Sequence, residues 1–276
     1  MMNPLDRAMD AVARGDYEAA IEASTQAIDA KQCLPLAYRH RGYSYARLGH
    51  WDEAIKDLTK AITLDPSAAN AFANRGRAFM EIGDYPLAIS DCTEAIRIQP
   101  DHAGAYMQRG SAYMDMGEQE RAIADFTRAI DLGIDAPGCL CYCYVCRGEL
   151  LRVQGDYSGA IADATAAIRR EPSALAHFNR ARAYSEAGDL HAAVADCSAA
   201  IELDATYRMA FVERGRRLFD LQRFAEAVGD FTRAIDLDPN DGETVYCRAI
   251  AHRCNGDAAK AEADFKRAEE LGYSPP

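Results

Sequence analysis

The chain lacks any apolar run long enough to cross a membrane. A membrane-spanning helix needs roughly 18 to 20 consecutive apolar residues, and no stretch of these 276 residues reaches that length. The first twenty residues also lack the basic region followed by an apolar segment that marks a secretory signal. We therefore predict a soluble, cytoplasmic protein that is not secreted.

An excess of positive charge is missing as well. The sequence holds 43 aspartate and glutamate residues against 31 lysine and arginine residues, which gives a formal net charge of −12 at pH 7. The field of such a chain repels phosphate groups and anionic lipid. Nucleic acid and membrane surfaces are therefore not expected as partners.

Catalytic motifs are absent from the sequence. There is no HExxH pair, no phosphate-binding glycine loop and no GxSxG elbow, and the six histidines are scattered. We predict a protein that is not an enzyme and needs no cofactor.

What the sequence does contain is a repeat. The segments AFANRGRAFMEIGDYPLAISDCTEAIRIQP and AHFNRARAYSEAGDLHAAVADCSAAIELDA are identical at 13 of 30 aligned positions without a gap. Self-similarity at a period near 34 residues is typical of arrays of helical hairpins. The repeat is marked by a glycine pair seven positions apart, as in Gly42 and Gly49, Gly76 and Gly83, and Gly110 and Gly117.

Each copy predicts two helices. In the second copy, Tyr38, Gly42 and Tyr45 recur at spacings of three and four, which places them on one stripe of a first helix. Gly49 is expected to end that helix in a left-handed conformation. The second helix carries one apolar face, formed by Ala54, Ile55, Leu58, Ala61 and Ile62.

These residues resemble the tetratricopeptide repeat. The shared pattern is an aromatic residue, a small residue four positions on, a glycine after the first helix, and then Ala-x3-aromatic-x2-Ala and proline. The resemblance implies an all-α fold, a right-handed α-solenoid (superhelix) of eight helix-turn-helix units. The eight copies begin near Met1, Pro35, Ala69, Ala103, Cys141, Ala174, Arg208 and Gly242.

A charged pair is predicted inside the hairpins. An arginine stands directly before the small residue in all eight copies, and an aspartate follows sixteen residues later in seven of them. An antiparallel hairpin brings those two positions opposite one another. Because the pattern occurs throughout the array, we assign it to the scaffold rather than to a ligand site.

Two departures from the period suggest how the chain is divided. Gly110 and Gly148 are 38 residues apart, an excess of four. We predict repeats one to four over residues 1–136, an irregular insertion over 137–140 with a bend or loosened joint, and repeats five to eight over 141–276. In the last repeat, Glu262 and Glu269 replace branched apolar residues, which predicts a polar capping face.

The resemblance also implies a function. In this family the first helices line a concave groove that holds a peptide or helix of a partner protein, so we predict a scaffold or adaptor for protein–protein interaction. Arginine among methionine and aromatic residues predicts a protein or peptide ligand with apolar anchors and some acidic groups. The predicted groove residues are Arg39, Tyr43, Asn74, Arg77, Met107, Met114, Tyr142, Val145, Arg152, Phe178, Asn179, Arg182, Val212, Arg216 and Tyr246.

A known variant of that groove does not fit. The carboxylate clamp of chaperone-binding members needs a basic residue and an asparagine four apart, an asparagine on the next first helix, and two basic residues on the third. Arg39 is followed by Tyr43 rather than asparagine, and the third helix offers only Gly104 and Gln108. We therefore do not predict that clamp.

Two alternatives remain open. The chain could self-associate through an end face and act as an assembly platform. It could instead be a metal or redox sensor built on a cluster of four cysteines. Four thiolates can bind zinc, but only two of these residues have CxxC spacing, and we prefer the interpretation as small apolar residues. The four are Cys139, Cys141, Cys143 and Cys146.

Overall fold

The chain is built from α-helices. The computed structural model describes residues 2–134 and 138–274, and within these ranges the chain forms sixteen α-helices and no strand. In chain order, α1 to α16 are Pro4–Arg14, Tyr17–Asp29, Leu34–Arg47, Trp51–Leu64, Ala69–Glu81, Tyr85–Ile98, Ala103–Asp115, Gln119–Leu132, Cys139–Val153, Tyr157–Arg170, Ala174–Ala187, Leu190–Leu203, Arg208–Asp220, Phe224–Leu237, Gly242–Cys254 and Ala258–Glu270.

The helices pair into eight hairpins, from α1–α2 to α15–α16, and the chain divides into two compact units. Unit 1 is Met1–Cys143 and unit 2 is Tyr144–Pro276. Within each unit the hairpins stack in chain order, and first helices also pack on first helices, as α3 does on α5 and α13 on α15. This stacking confirms the α-solenoid fold.

The predicted insertion stays a prediction. Asp135, Ala136 and Pro137 lie outside the described residues, and the residues that follow them enter α9 at Cys139. The predicted polar face of the last hairpin consists of exposed side chains, since Glu262 and Glu269 are both exposed.

Left-handed residues end the first helices, as predicted. Gly49 has a φ of +80°, and glycines at the same place in six other hairpins have φ between +76° and +91°. Glycine adopts this conformation without a Cβ penalty. In the seventh hairpin Gln222 takes the position, and it is left-handed as well, with a φ of +59°. The turn geometry is therefore kept even where glycine is absent.

The small residue of each first helix lets the two helices of a hairpin approach closely. A Cβ added to Gly42 would lie 2.8 Å from Leu58 Cγ, and one added to Gly215 would lie 2.8 Å from Phe231 Cε1. Leu58 and Phe231 are themselves at most 1% exposed. The bulky side chain of the second helix thus fills the space that the glycine leaves, as close-packed interiors require.

The predicted arginine–aspartate pairs are confirmed in seven hairpins. Each guanidinium donates from Nε and one terminal nitrogen to both carboxylate oxygens of its partner, at 2.6 to 3.0 Å. The aspartates are only 4 to 7% exposed. The pairs are Arg41–Asp57, Arg75–Asp91, Arg109–Asp125, Arg147–Asp163, Arg180–Asp196, Arg214–Asp230 and Arg248–Asp264.

The same arginines also join neighbouring hairpins. Arg75 donates from its second terminal nitrogen to the Thr59 hydroxyl of the preceding hairpin at 2.9 Å. Five further arginines make the equivalent bond to a threonine or serine, at 2.9 to 3.2 Å. In the first hairpin Ala23 occupies the aspartate position, and Arg7 donates instead to Gln26 at 2.6 Å.

Candidate functional site

Most predicted groove residues lie on the first helices with partly accessible side chains. In unit 1, Tyr142 is 43% exposed, and six half-buried side chains with it belong to α3, α5 and α7. We call this set the unit 1 surface: Arg39, Tyr43, Asn74, Arg77, Met107, Met114 and Tyr142. The corresponding half-buried residues form the unit 2 surface: Val145, Arg152, Asn179, Arg182, Arg216 and Tyr246.

Two predicted groove residues are corrected by the structure. Phe178 is 7% exposed and packs with Ala200 and Ala210, and Val212 is 5% exposed and packs with Phe211. Both therefore belong to the core rather than to a ligand-accessible surface. Their three- and four-residue spacing matches that of the accessible residues, so periodicity alone could not separate them.

The unit 1 surface begins with an aromatic cluster around Arg47. The Tyr17 and Tyr43 rings meet edge to face with centroids 6.2 Å apart, and the Arg47 guanidinium lies 4.8 Å from the centroid of Tyr17. Arg47 also donates to the Tyr43 hydroxyl at 3.0 Å, and this hydrogen bond raises the pKa of Arg47. Tyr17 comes from the preceding hairpin, which is why the sequence alone did not place it here.

The central part of this surface carries hydrogen-bonding groups that are not engaged in ion pairs. Within the described part of the chain, neither Arg39 nor Arg77 forms an ion pair. A terminal nitrogen of the Arg39 guanidinium lies 3.4 Å from Nε2 of the His40 ring. Burial lowers the pKa of Arg39, and burial together with Arg39 lowers the pKa of His40 to about 4. On α5, Oδ1 of Asn70 lies within hydrogen-bond distance of His102 Nε2, at 3.0 Å.

The unit 2 surface is different because its arginines are already paired. Arg152 donates to both oxygens of Glu149 at 2.8 and 3.0 Å and also pairs with Glu186. Arg182 donates to the same Glu149 carboxylate at 3.2 Å. Burial would raise the pKa of Glu149, but the hydrogen bonds from Arg152 and the charge of Arg182 outweigh it and lower that pKa.

A cavity of about 260 Å³ opens in unit 2 where α13, α14 and α15 meet. Its apolar walls are Phe219, Phe231 and Ile250. Arg216 stands beside it and donates to Glu243 at 2.6 Å. A concave site with apolar walls and a few polar groups is the usual form of a ligand pocket.

The cysteine cluster has no arrangement typical of a metal centre. Cys143 and Cys146 are buried, and Cys139 and Cys141 are partly buried. In residues 2–134 and 138–274, no group of three or more histidine, cysteine or acidic side chains could hold a metal ion. The same residues contain no helix long and apolar enough to span a membrane.

The repeat pattern decides the family. The sequence pattern of the tetratricopeptide repeat matches residues 5–69, 39–103, 74–137, 147–208 and 212–275, which together cover most of the chain. The chain belongs to the tetratricopeptide repeat family.

Curated relatives of this tetratricopeptide repeat chain are much longer than it is. Human RNA polymerase II-associated protein 3 is 30% identical over 129 residues, which is 45% of this chain and 19% of that protein. The Hsp70-Hsp90 organizing protein of Triticum aestivum is 26% identical over 131 residues, which is 45% of this chain and 22% of that protein. The alignments thus span about a fifth of each relative.

Solved structures share the fold. The C-terminal part of a tetratricopeptide repeat protein from Cytophaga hutchinsonii superposes with a TM-score of 0.67 at 20% identity, covering 88% of this chain and 98% of that one. YrrB, described as a tetratricopeptide repeat protein with an unusual peptide-binding site, gives a TM-score of 0.64 at 19% identity, covering 71% and 99%.

Proposed function

We propose that this tetratricopeptide repeat chain is a protein-interaction adaptor that holds a peptide or helix of a partner protein on its first-helix surfaces. Family membership supports this role, as do relatives such as the Hsp70-Hsp90 organizing protein. The peptide-binding site described for YrrB shows that the same fold can take such a ligand.

The observation that carries the proposal is the cavity beside α13 and α15. Its volume of about 260 Å³ suits a large apolar side chain, and Phe219, Phe231 and Ile250 provide the walls. Buried pockets that receive one apolar anchor commonly dominate the energy of an interface. The remaining half-buried residues of the surface would exclude water around that anchor.

The rim of the cavity supports an oriented peptide. Arg216 and Arg217 line the cavity, where Arg216 donates to Glu243 at 2.6 Å and Arg217 forms an ion pair with Asp220 at 3.4 Å. Such groups can exchange their hydrogen bonds with the polar backbone of a bound segment, while the apolar walls select the side chain. The partner we propose is therefore a segment with at least one large apolar residue.

A peptide-library selection with two matched variants tests this role. Ile250→Glu places a charge in the cavity wall, whereas Leu203→Glu makes the same type of change on α12, where Leu203 is 52% exposed. We expect wild type and Leu203→Glu to select the same peptides and Ile250→Glu to lose them. Equal selection by all three proteins, each folded by circular dichroism, would contradict the proposal.

A further inference from the structure

We infer that the unit 1 surface recognises acidic side chains within an internal peptide segment, and that the unit 2 surface does not. This inference rests on the proposed function and assigns ligand chemistry to one of its two surfaces. The deciding feature is which arginines lack a carboxylate partner within the protein.

Arg39, Arg47 and Arg77 are cationic groups on unit 1 first helices that form no ion pair within the described residues. Arg47 contacts the ring of Tyr17 and the hydroxyl of Tyr43. The acidic neighbour of Arg39 is Asp65, which attracts Arg39 electrostatically but forms no ion pair with it within the described residues, and whose Oδ1 accepts two hydrogen bonds from Ser67 at 2.6 and 3.0 Å. These arginines are positively charged sites in a chain whose net charge is −12.

A half-buried guanidinium without a carboxylate gains most from an anionic ligand. Burial has removed part of the water around Arg39 and Arg77, whereas Arg47 is exposed, and the planar set of N–H donors of a guanidinium matches a carboxylate in a bidentate geometry. Asn74 precedes Arg77 by three residues on α5, so the two side chains lie on neighbouring turns of one helix face. The amide of Asn74 adds a neutral donor next to that charge.

Unit 1 also has carboxylates, and their position limits where a ligand acid can bind. Glu81 and Asp115 are exposed at the C-terminal ends of α5 and α7. Glu81 follows Arg77 by four residues, yet the described structure has no ion pair between them. Ligand acids are therefore expected over the middle of the helices, near Arg39, Asn74 and Arg77, with Met107 available for apolar contact.

In unit 2, the arginines of the surface already have carboxylate partners. Glu149 accepts from both Arg152 and Arg182, and Glu243 accepts from Arg216. A ligand carboxylate would have to displace Glu149 or Glu243, which belong to the same chain as the arginines that they pair with. Arg152, Arg182 and Arg216 are thus neutralised internally, and the cavity beside Arg216 can select an apolar side chain without a charge requirement. Arg253, at the end of α15, lies instead over the Phe265 ring, 5.2 Å from its centroid.

The recognised acids are side chains rather than a chain terminus. The positions where a terminal-carboxylate clamp needs two basic residues hold Gly104 and Gln108 on α7. Capped peptides are therefore the appropriate probe. An acetylated and amidated peptide that alternates glutamate with leucine carries only side-chain carboxylates, and the same peptide with glutamine in place of glutamate is its neutral match.

Binding is measured by fluorescence anisotropy with the full chain at low and high salt. We expect the glutamate peptide to bind roughly three- to tenfold more tightly than the glutamine peptide, with the difference shrinking as salt screens the charges. Arg77→Ala should remove most of this difference, and Glu81→Gln should increase it. Arg182→Ala should leave it unchanged, because that charge is balanced by Glu149.

A gain-of-function variant tests the contrast between the units. Glu149→Gln leaves Arg182 without a carboxylate while Arg152 keeps its pair with Glu186, and it should give unit 2 a preference for the glutamate peptide, measured in an Arg77→Ala background. If Arg77→Ala fails to fold, Arg77→Lys keeps the charge without the bidentate geometry and should lose part of the preference.

The outcomes separate this inference from the proposed function. Equal binding of the two peptides, or no binding of either, overturns the acidic preference, as does a loss caused by Arg182→Ala but not by Arg77→Ala. The adaptor role is judged separately by the library selection with Ile250→Glu. A library that yields apolar peptides without acidic residues would keep that role and reject the inference drawn for unit 1.

Discussion

The guanidinium of Arg109 and the carboxylate of Asp125 face each other across the fourth hairpin in a bidentate pair, at 2.7 and 2.8 Å. The hydrogen bond that Arg109 donates to Asp125 is the main reason why the pKa of Arg109 is raised, against the opposing effect of burial. The side chains are only 17% and 8% exposed. The pair is therefore a structural element of the hairpin rather than a surface ion pair.

Asp125→Asn should destabilise the protein by about 2 kcal/mol or more, because it leaves Arg109 largely buried without its counter-charge. The shift is measured as a lower urea midpoint. Asp131→Asn is the control, since Asp131 is exposed on the same helix. A midpoint for Asp125→Asn that matches this control would contradict the structural role of the pair.

Gly110→Leu should destabilise the protein by roughly 1–3 kcal/mol through overpacking. A Cβ at Gly110 already lies 3.3 Å from Asp125 Cβ and from the Phe126 ring, so the rest of a leucine side chain has no space. Gly229→Leu is the matched control, because no atom lies within 4 Å of a Cβ at that helical glycine. We expect the control to raise the melting temperature, since leucine favours helix over glycine. Equal melting temperatures for the two variants would refute the close approach.

Gln222→Gly should stabilise the protein by about 0.5 kcal/mol. A left-handed backbone costs a residue with a Cβ roughly 1–2 kcal/mol, and part of this gain is lost to the greater freedom of glycine when unfolded. Chemical denaturation measures the change. Gln154→Gly, one residue before the left-handed Gly155 in the fifth hairpin, should instead destabilise. A destabilising Gln222→Gly would show that this turn depends on the glutamine side chain.

Because of His40, we expect the free energy of unfolding to decrease as the pH falls from 6.5 toward 4. Its pKa of about 4 in the folded chain lies below the ordinary value of 6.5, so the unfolded chain binds more protons between these two pH values. Stability that is present above pH 6.5 is therefore lost as the pH falls toward 4, by about 1–2 kcal/mol after allowance for the partly exposed ring. His40→Gln should reduce this dependence, whereas His191→Gln, at an exposed position, should not. An NMR titration of His40 with a midpoint near 6.5 would refute the premise.

The fold could be predicted because every hairpin repeats the same local rules. The spacing of Gly42 and Gly49 fixed a helix and its left-handed end, and the sixteen-residue interval fixed the partner of each arginine. The third partner, a threonine or serine of the preceding hairpin, was missed because its distance depends on how hairpins stack. A second recurring interval of sixteen residues, from Thr59 to Arg75 for example, was the available signal.

The candidate site was less predictable, since accessibility and pairing depend on side chains from other helices. Phe178 and Met107 occupy the same position in their repeats, yet only Phe178 is buried, against Ala200 and Ala210. In the same way, Arg77 and Arg182 occupy equivalent positions, but of the two only Arg182 forms an ion pair within the part of the chain that the structure describes. Single-repeat patterns contain no information about such neighbours.

The hydrogen bond from six of the scaffold arginines to a hydroxyl of the preceding hairpin makes the hairpins at those joints interchangeable. Arg75 needs a hydroxyl from the hairpin before it, and Thr93 supplies one to the hairpin after it. Duplicating or deleting one whole 34-residue module therefore recreates the same joint, whereas a cut within a module breaks it. Length variation in steps of one module, with a changed set of ligand-facing side chains each time, is an evolutionary route that this joint leaves open.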